Sequence, residues 1–222
     1  MHVRGTGEGG VTVKTAALFS GKDSLYAAYL AEGLGLEVND LITMITTLGE
    51  PSPHLENIEA MKKAAERMRK RLRIVDLRGG EGELLGALRI TGASGLVAGD
   101  VFVEDHIKWL EGICRRAGIG LVEPLYRRGT LELLKEMLRA GFVVKIIGVD
   151  TRLLGEDWLG FTLSEDTLDE FLAGIGKADP LGENGEYHTL VLDCPLYTRR
   201  LDVRSSWEVV AGPLKCLRVE VS

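Results

Sequence analysis

The chain has 222 residues, 45% hydrophobic and 27% charged, which is enough apolar material for one sizeable core or a main unit with a smaller appendage. A net charge of −6, from 27 Lys and Arg against 33 Asp and Glu, excludes a global basic footprint and makes nucleic acid an unexpected partner. No run of about 18 apolar residues is available to span a membrane, and three cysteines without a C-x-x-C pair argue against a disulfide framework and for a cytoplasmic setting.

Residues 1–12 are Gly-rich, lack an apolar signal core and are read as a flexible leader. Residues 13–19 form a short apolar β-forming run that feeds directly into Ser20-Gly21-Lys22-Asp23-Ser24. A helix is predicted over 24–32, stopped by Gly33 and Gly35. A second β-rich run covers 41–47, and the Pro-containing stretch 49–53 is a loop. Met61, Ala64, Ala65, Met68 and Leu72 recur at helical spacing and predict one amphipathic helix over 56–72. Strands follow at 73–77, 95–98 and 119–122. Between them lie a short helix marked by Leu84, Leu85 and Leu88 and a longer one marked by Ile107, Leu110, Ile113 and Cys114.

This alternation implies βαβ units, right-handed crossovers and a parallel sheet. After Pro124 the rhythm changes. A helix carries Leu131, Leu134 and Leu138, a strand covers 142–149, and Ser164 is placed to cap a short helix. Residues 176–188 are rich in turn formers and carboxylates, 189–192 are β-like, and 207–221 alternate. The expected fold class is α/β: a parallel five-stranded Rossmann-like sheet flanked by helices over 13–124, plus a smaller α+β unit over 125–222.

Two segments carry chemistry. A strand entering a small, polar, Gly-containing turn at a helix start is an anion site, because free amides and the helix dipole favour phosphate there. In the turn at 20–24, Ser20 and Ser24 add hydroxyls, Lys22 adds charge, and Asp23 is placed to cap the helix or approach Mg²⁺. A Walker A loop is rejected, since Ala16 and Asp23 stand where it needs Gly and Ser or Thr. An ordinary strand–helix turn would show the same pentapeptide. Downstream, Asp179-Pro180-Leu181-Gly182-Glu183-Asn184-Gly185-Glu186-Tyr187-His188-Thr189 gathers carboxylates, glycines and a histidine. These suit binding a cation or moving protons, and equally a solvated turn before a strand.

The pentapeptide resembles the PP-loop, S-G-G-x-D-S, of the N-type ATP pyrophosphatases, with one glycine where that motif has two. The stretch from Gly182 to Thr189 resembles the signature of the diphthine–ammonia ligase family, including its archaeal members. Ala98-Gly99-Asp100-Val101, Glu123-Pro124-Leu125-Tyr126, Gly141-Phe142 and Trp158-Leu159-Gly160 add to the resemblance, which runs in order over roughly 14–200; at Tyr126 the family more often has Trp.

The resemblance implies a HUP-type nucleotide domain (adenine-nucleotide α-hydrolase-like) followed by a smaller domain. It also implies a substrate: diphthine, a modified histidine of translation elongation factor 2 that carries a trimethylammonium group and a carboxylate. That carboxylate would be activated by ATP as an acyl-adenylate and amidated by ammonium, releasing AMP and pyrophosphate. Ser20, Gly21, Lys22, Asp23 and Ser24 would then hold the phosphates, with Gly99, Asp100 and His54 also at the nucleotide and Asp23 near Mg²⁺. His54 and Asn57 follow the second strand and are within reach of the nucleotide or simply open a helix. Glu183, Asn184, Gly185, Glu186 and Tyr187 would face the substrate. Lys22, Asp23, Glu183, Glu186 and His188 are the expected catalytic groups, with His188 as the base. Tyr126, Trp158 and Tyr187 are the aromatics available to a quaternary ammonium, and Arg199, Arg200 and Arg204 are a candidate docking cluster. A homo-oligomer is compatible with the sequence and not specified by it.

Two rivals stand beside this reading. A PP-loop tRNA-modifying enzyme would share the adenylate step, with a single cysteine such as Cys194 as its nucleophile. A non-catalytic ATP-binding sensor would need glycine and a hydroxyl residue where Asp105 and His106 follow Gly92-Ala93-Ser94-Gly95.

Overall fold

The structure is a computed structural model that describes residues 12–45 and 52–222. The expected leader, apart from Thr12, and residues 49–51 of the expected loop lie outside the described residues. The first half contains β1 (Val13–Leu18), α1 (Lys22–Gly33), β2 (Leu36–Ile45), α2 (Pro53–Glu56), α3 (Ile58–Arg67), β3 (Arg71–Asp76), α4 (Glu81–Thr91), β4 (Gly95–Val97), α5 (Glu104–Ala117) and β5 (Gly120–Val122). The second half contains α6 (Thr130–Arg139), β6 (Val143–Asp150), β7 (Thr162–Leu163), α7 (Leu168–Gly174), β8 (Tyr187–Asp193), β9 (Val203–Ala211) and β10 (Leu214–Val221). Among the described residues no helix is long and apolar enough to cross a membrane.

The first sheet is parallel throughout, in the order β3-β2-β1-β4-β5. Its strand order reverses between β1 and β4, the place where open α/β sheets bind ligands beyond the strand ends. The second sheet is antiparallel. β8 runs along one edge of β6, β7 and β10 share the other, and β9 closes the sheet beside β10. The two halves do not have separate cores. Leu25, Ala28, Met61 and Ala64 from the first half pack in one continuous cluster with Phe142, Ile146, Val191 and Leu217 from the second. Leu84, Leu88, Leu110 and Ile113 cover the opposite face of the parallel sheet. Side chains of Leu or Ile size, buried this completely, contribute about 1.5–3 kcal/mol each.

Several boundaries differ from the sequence expectation, each for a specific physical reason. β2 begins at Leu36 rather than 41, because the polar residue that broke the apolar pattern, Asp40, is buried and paired with Arg71 at 2.7 Å and Arg73 at 2.9 Å. The helix expected over 56–72 is α3 alone, with the short α2 standing ahead of it over Pro53–Glu56, and it ends at Arg67, since Arg69 takes a left-handed φ of 55° that turns the chain into β3. The break between them is Asn57. Its side-chain amide donates to the Pro53 and Leu217 carbonyls at 2.8 Å each, and its Oδ1 accepts the Val219 amide at 2.7 Å. Asn57 thus ties α2 and α3 to β10. The alternating tail is a hairpin, β9 and β10, turned at Gly212 with φ 61°.

Candidate functional site

The end of β1 is fixed by the Phe19 amide, which donates to the Ile42 carbonyl at 2.8 Å. The chain then turns through Ser20 and Gly21 into α1. The Ser24 hydroxyl accepts the Ser20 amide at 2.9 Å and donates to the Gly21 carbonyl at 2.8 Å, so it closes the turn from inside. The first-turn amides of α1 lack intrahelical partners and favour an anion. Thr189, near the start of β8, takes one of them: its Oγ1 accepts the Lys22 amide at 3.1 Å. A side chain at Gly21 would meet that hydroxyl at 3.0 Å and His54 Nε2 at 3.2 Å, so the glycine lets β8 and α2 approach the loop.

Lys22 is 2% exposed and points away from solvent. Its Nζ donates to the Leu181 carbonyl at 2.5 Å and pairs with Asp23 at 2.9 Å, and it stands over the Tyr187 ring at 4.8 Å. The lysine therefore joins the turn at 20–24 to the segment before β8. Burial raises the Asp23 carboxyl above its usual range, against the pull of Lys22, and Asp23 Oδ1 has no hydrogen-bond partner among the described residues.

The segment at 179–189 is folded around Glu186. This carboxylate is 3% exposed and accepts the Asp179 amide at 2.9 Å, the Asn184 amide at 2.9 Å and the Asn184 side chain at 3.0 Å. Burial works to raise its pKa, and these hydrogen bonds outweigh burial and lower it. Tyr187 turns inward and donates to the Pro180 carbonyl at 2.6 Å. Glu183 and His188 turn the other way, into a cleft.

That cleft, about 440 Å³, lies at the carboxyl ends of the parallel strands and suits a nucleotide-sized ligand. Leu18, Phe19, Ile42 and Met44 form an apolar lobe, with the Thr43 hydroxyl tied to the Phe19 carbonyl at 2.8 Å, while Asp23, Asp100, His106, Glu183 and His188 form a polar one. Glu183 is pushed up to about 7, chiefly by burial and then by Asp23. His54 and His188 meet edge to face, ring centres 5.5 Å apart. Burial, with His188 and Lys22 adding to it, lowers His54 to about 3, and its Nε2 has no partner among the described residues. Burial and then Lys22 lower His188 as well.

The lowered His54 value makes stability depend on pH. An unfolded chain takes this proton near pH 6.5, and the folded chain resists it until about 3. Stability from His54 is complete above 6.5 and falls by up to about 1.4 kcal/mol per pH unit as pH drops through that window. A His54→Gln variant is expected to show a shallower loss between pH 6 and 4 by close to one proton, measured by urea unfolding at each pH. An identical slope would remove His54 as the source.

The sequence matches two family profiles, described as the diphthamide synthase N-terminal domain over residues 13–121 and the diphthamide synthase C-terminal domain over 129–221. The chain belongs to the diphthamide synthase family. Similar curated proteins are the diphthine–ammonia ligases of Homo sapiens, 34% identical over 105 residues, and of Schizosaccharomyces pombe, 36% identical over 104. Each match covers 46% of this chain, but 39% of the human protein and 17% of the yeast one, so the chain matches well under half of either relative. Among solved structures, a 4-thiouridine synthetase in complex with RNA and ATP aligns over 58% of this chain and 41% of its own, with 17% identity and a TM-score of 0.43. The U34-tRNA thiolase NcsA of Methanococcus maripaludis aligns over 57% and 56%, with 20% identity and a TM-score of 0.38.

In this diphthamide synthase family member the structure gathers Ser20, Asp23, Ser24, His54, Gly99, Asp100, Glu183, Gly185 and His188 at one cleft. Lys22, Asn184, Glu186 and Tyr187 lie behind it as internal supports. Asn57 is a structural tie. Of the three aromatics, Trp158 and Tyr187 meet at Phe171, against which both pack edge to face, and Tyr187 also faces Lys22; Tyr126 stands apart, covered by Arg127. Sequence reasoning missed Phe19, Thr43, Met44 and His106. The first three sit at strand ends, where the alternation gives no functional signal; His106 sits in the first turn of α5, where the pattern marks only a polar face.

Glu186→Gln is expected to destabilise the fold by about 1–3 kcal/mol, because one of the amide's two heads must turn a donor toward donors. A thermal melt checks this, and an unchanged midpoint would remove Glu186 as the centre of the loop.

Proposed function

We propose that the protein amidates diphthine on translation elongation factor 2, using ATP and ammonium, through an acyl-adenylate with AMP and pyrophosphate as products. The supporting observation is one cleft walled by both halves: the phosphate loop at Ser20–Ser24 and Gly99–Asp100 on one side, Gly182–His188 on the other. On this reading residues 13–124 bind the nucleotide and 125–222 bind the substrate. The apolar lobe takes the adenine. The loop amides, with Ser20 and Ser24, hold the departing pyrophosphate and neutralise its growing charge. Glu183, ionising near neutral pH, offers a carboxylate to the quaternary ammonium or to ammonium. Arg199, Arg200 and Arg204 remain candidates for docking the protein substrate.

Mg²⁺ fits the residues present in a limited way. Among the described residues no three His, Cys, Asp or Glu side chains converge on one point. Asp23 does offer a buried oxygen without a hydrogen-bond partner among the described residues, and Mg²⁺ is commonly held by one or two carboxylates with phosphate oxygens. Bound there, the ion would offset phosphate charge.

The chemistry of the thiols disfavours the tRNA-modifying alternative. Burial pushes Cys114 and Cys216 up to about 11 and Cys194 to about 12, so none is a ready thiolate at neutral pH. The test is to incubate the purified protein with ATP, Mg²⁺ and ammonium, with and without elongation factor 2 bearing diphthine, and to identify the nucleotide products. AMP and pyrophosphate formed only with the factor is the expected result. ADP would overturn the adenylate step. ATP bound without turnover on competent factor would favour the sensor, and turnover with tRNA instead would favour the tRNA enzyme.

A further inference from the structure

Amidation needs ammonia with a free lone pair, while ammonium dominates at neutral pH. A histidine that removes its proton becomes a cation, so it needs a partner that tolerates the charge. Three histidines stand at the cleft: His54, His106 and His188. Two are ill suited. His54 and His188 face each other, and both lie in the field of Lys22. His106 is different. Its Nδ1 lies 2.8 Å from Asp100 Oδ1, its ring stacks on Trp109 at 5.4 Å and 22°, and it lines the cleft. Trp109 is held in turn by Glu81, which accepts its indole N–H at 2.6 Å.

A carboxylate on Nδ1 fixes the imidazole tautomer and leaves Nε2 as the acceptor. Further carboxylates surround the pair. Asp100, in the turn after β4, is the direct partner. Glu123, just past β5, has a buried Oε1 without a partner among the described residues and interacts with both Asp100 and His106. Glu183, from the segment before β8, interacts with Asp100 across the cleft, and Asp23 adds a further carboxylate to the same lobe. Glu111, on the same helix as His106, interacts with Glu123.

We infer that His106, oriented by Asp100, is the general base that converts ammonium to ammonia in the acidic lobe of the cleft. The inference rests on the ligase reading above. In the step, neutral Nε2 takes one proton from NH₄⁺. The ammonia lone pair attacks the acyl carbon, the C–N bond forms, and the bond from that carbon to the AMP oxygen breaks. AMP leaves with the electron pair, and the nitrogen sheds a second proton to solvent as the amide forms.

The experiment supplies two nucleophiles at pH 7 to protein, ATP, Mg²⁺ and diphthine-bearing factor. One is ammonium, which needs a base; the other is hydroxylamine, which is largely unprotonated and does not. In His106→Gln the ratio of amide to hydroxamate is expected to fall by roughly 100-fold or more relative to wild type, within the usual range for a lost general base. Raising the pH should restore the ratio, since free ammonia then replaces the missing base. Asp100→Asn should move the ratio in the same direction and less far. An unchanged ratio in His106→Gln, with either both products retained or both lost equally, overturns the role of His106. Wild-type protein forming neither product overturns the ligase reading and this inference together, whereas wild-type activity with an unchanged His106→Gln ratio overturns the inference alone.

Discussion

Gly99→Ala is expected to weaken ATP binding by roughly tenfold or more, a change of about 1.4 kcal/mol or greater. An added methyl would lie 2.7 Å from the carbonyl carbon and oxygen of Asp23 and 2.8 Å from the Ser24 amide nitrogen. These are backbone atoms in the first turn of α1, so they cannot rotate aside as a side chain would. Overpacking of this kind costs about 1–3 kcal/mol, and here the displaced atoms are the phosphate loop itself. Gly86 is the control. It lies inside α4 with open space around its α-carbon, so Gly86→Ala should stabilise the helix by up to about 1 kcal/mol. Calorimetric titration with ATP and a thermal melt of both variants separate the two effects. Wild-type ATP affinity in Gly99→Ala would mean that phosphate does not rest on that turn.

Lys22→Met should have the largest effect on stability. The wild-type ammonium is buried and satisfies the Leu181 carbonyl and the Asp23 carboxylate at once. Removing one partner of a buried pair typically costs about 3–5 kcal/mol, because the other charge is stranded. Adding Asp23→Asn should recover part of that loss, since the amide carries no charge to strand. Urea midpoints of the two single variants and the double variant measure the coupling. If the double variant loses the sum of the two single losses, the pair is not coupled and the burial of Lys22 is carried by Leu181 and Tyr187 alone.

Much of the first half was legible because its signals are local. The runs that became β1, β4 and β5 and the periodic helix α5 depend on neighbours a few residues away, and the turn at 20–24 announces itself by following a strand. The illegible parts depend on distant partners. Asp40 interrupts an apolar pattern and is tolerated inside β2 only because Arg71 and Arg73 reach it from β3. Asn57 sets the short α2 apart from the periodic helix α3 because two of its hydrogen bonds go to β10, 160 and 162 residues away. The candidate site divides in the same way. Its loops were visible as motifs, but the direction each side chain takes was not. Glu183 and Glu186 look equivalent in the sequence, yet one enters the cleft and the other ties the loop together from behind. His106 had no motif to mark it; what distinguishes it is the pairing with Asp100 and the stacking on Trp109, which depend on how α5 leaves the end of β4.

The contact between the Lys22 amide and Thr189 spans 167 positions, and that from Lys22 Nζ to Leu181 spans 159. During synthesis the ribosome releases the phosphate loop early, long before either partner emerges. Until residues 181–189 arrive, Lys22 has no carbonyl or ring to receive it, and its ammonium stays hydrated. Contacts this distant in sequence make folding slow and place closure of the cleft near its end. A nascent chain would therefore build most of the parallel sheet before it holds a finished cleft, and a half-made chain would lack the wall that residues 181–189 supply.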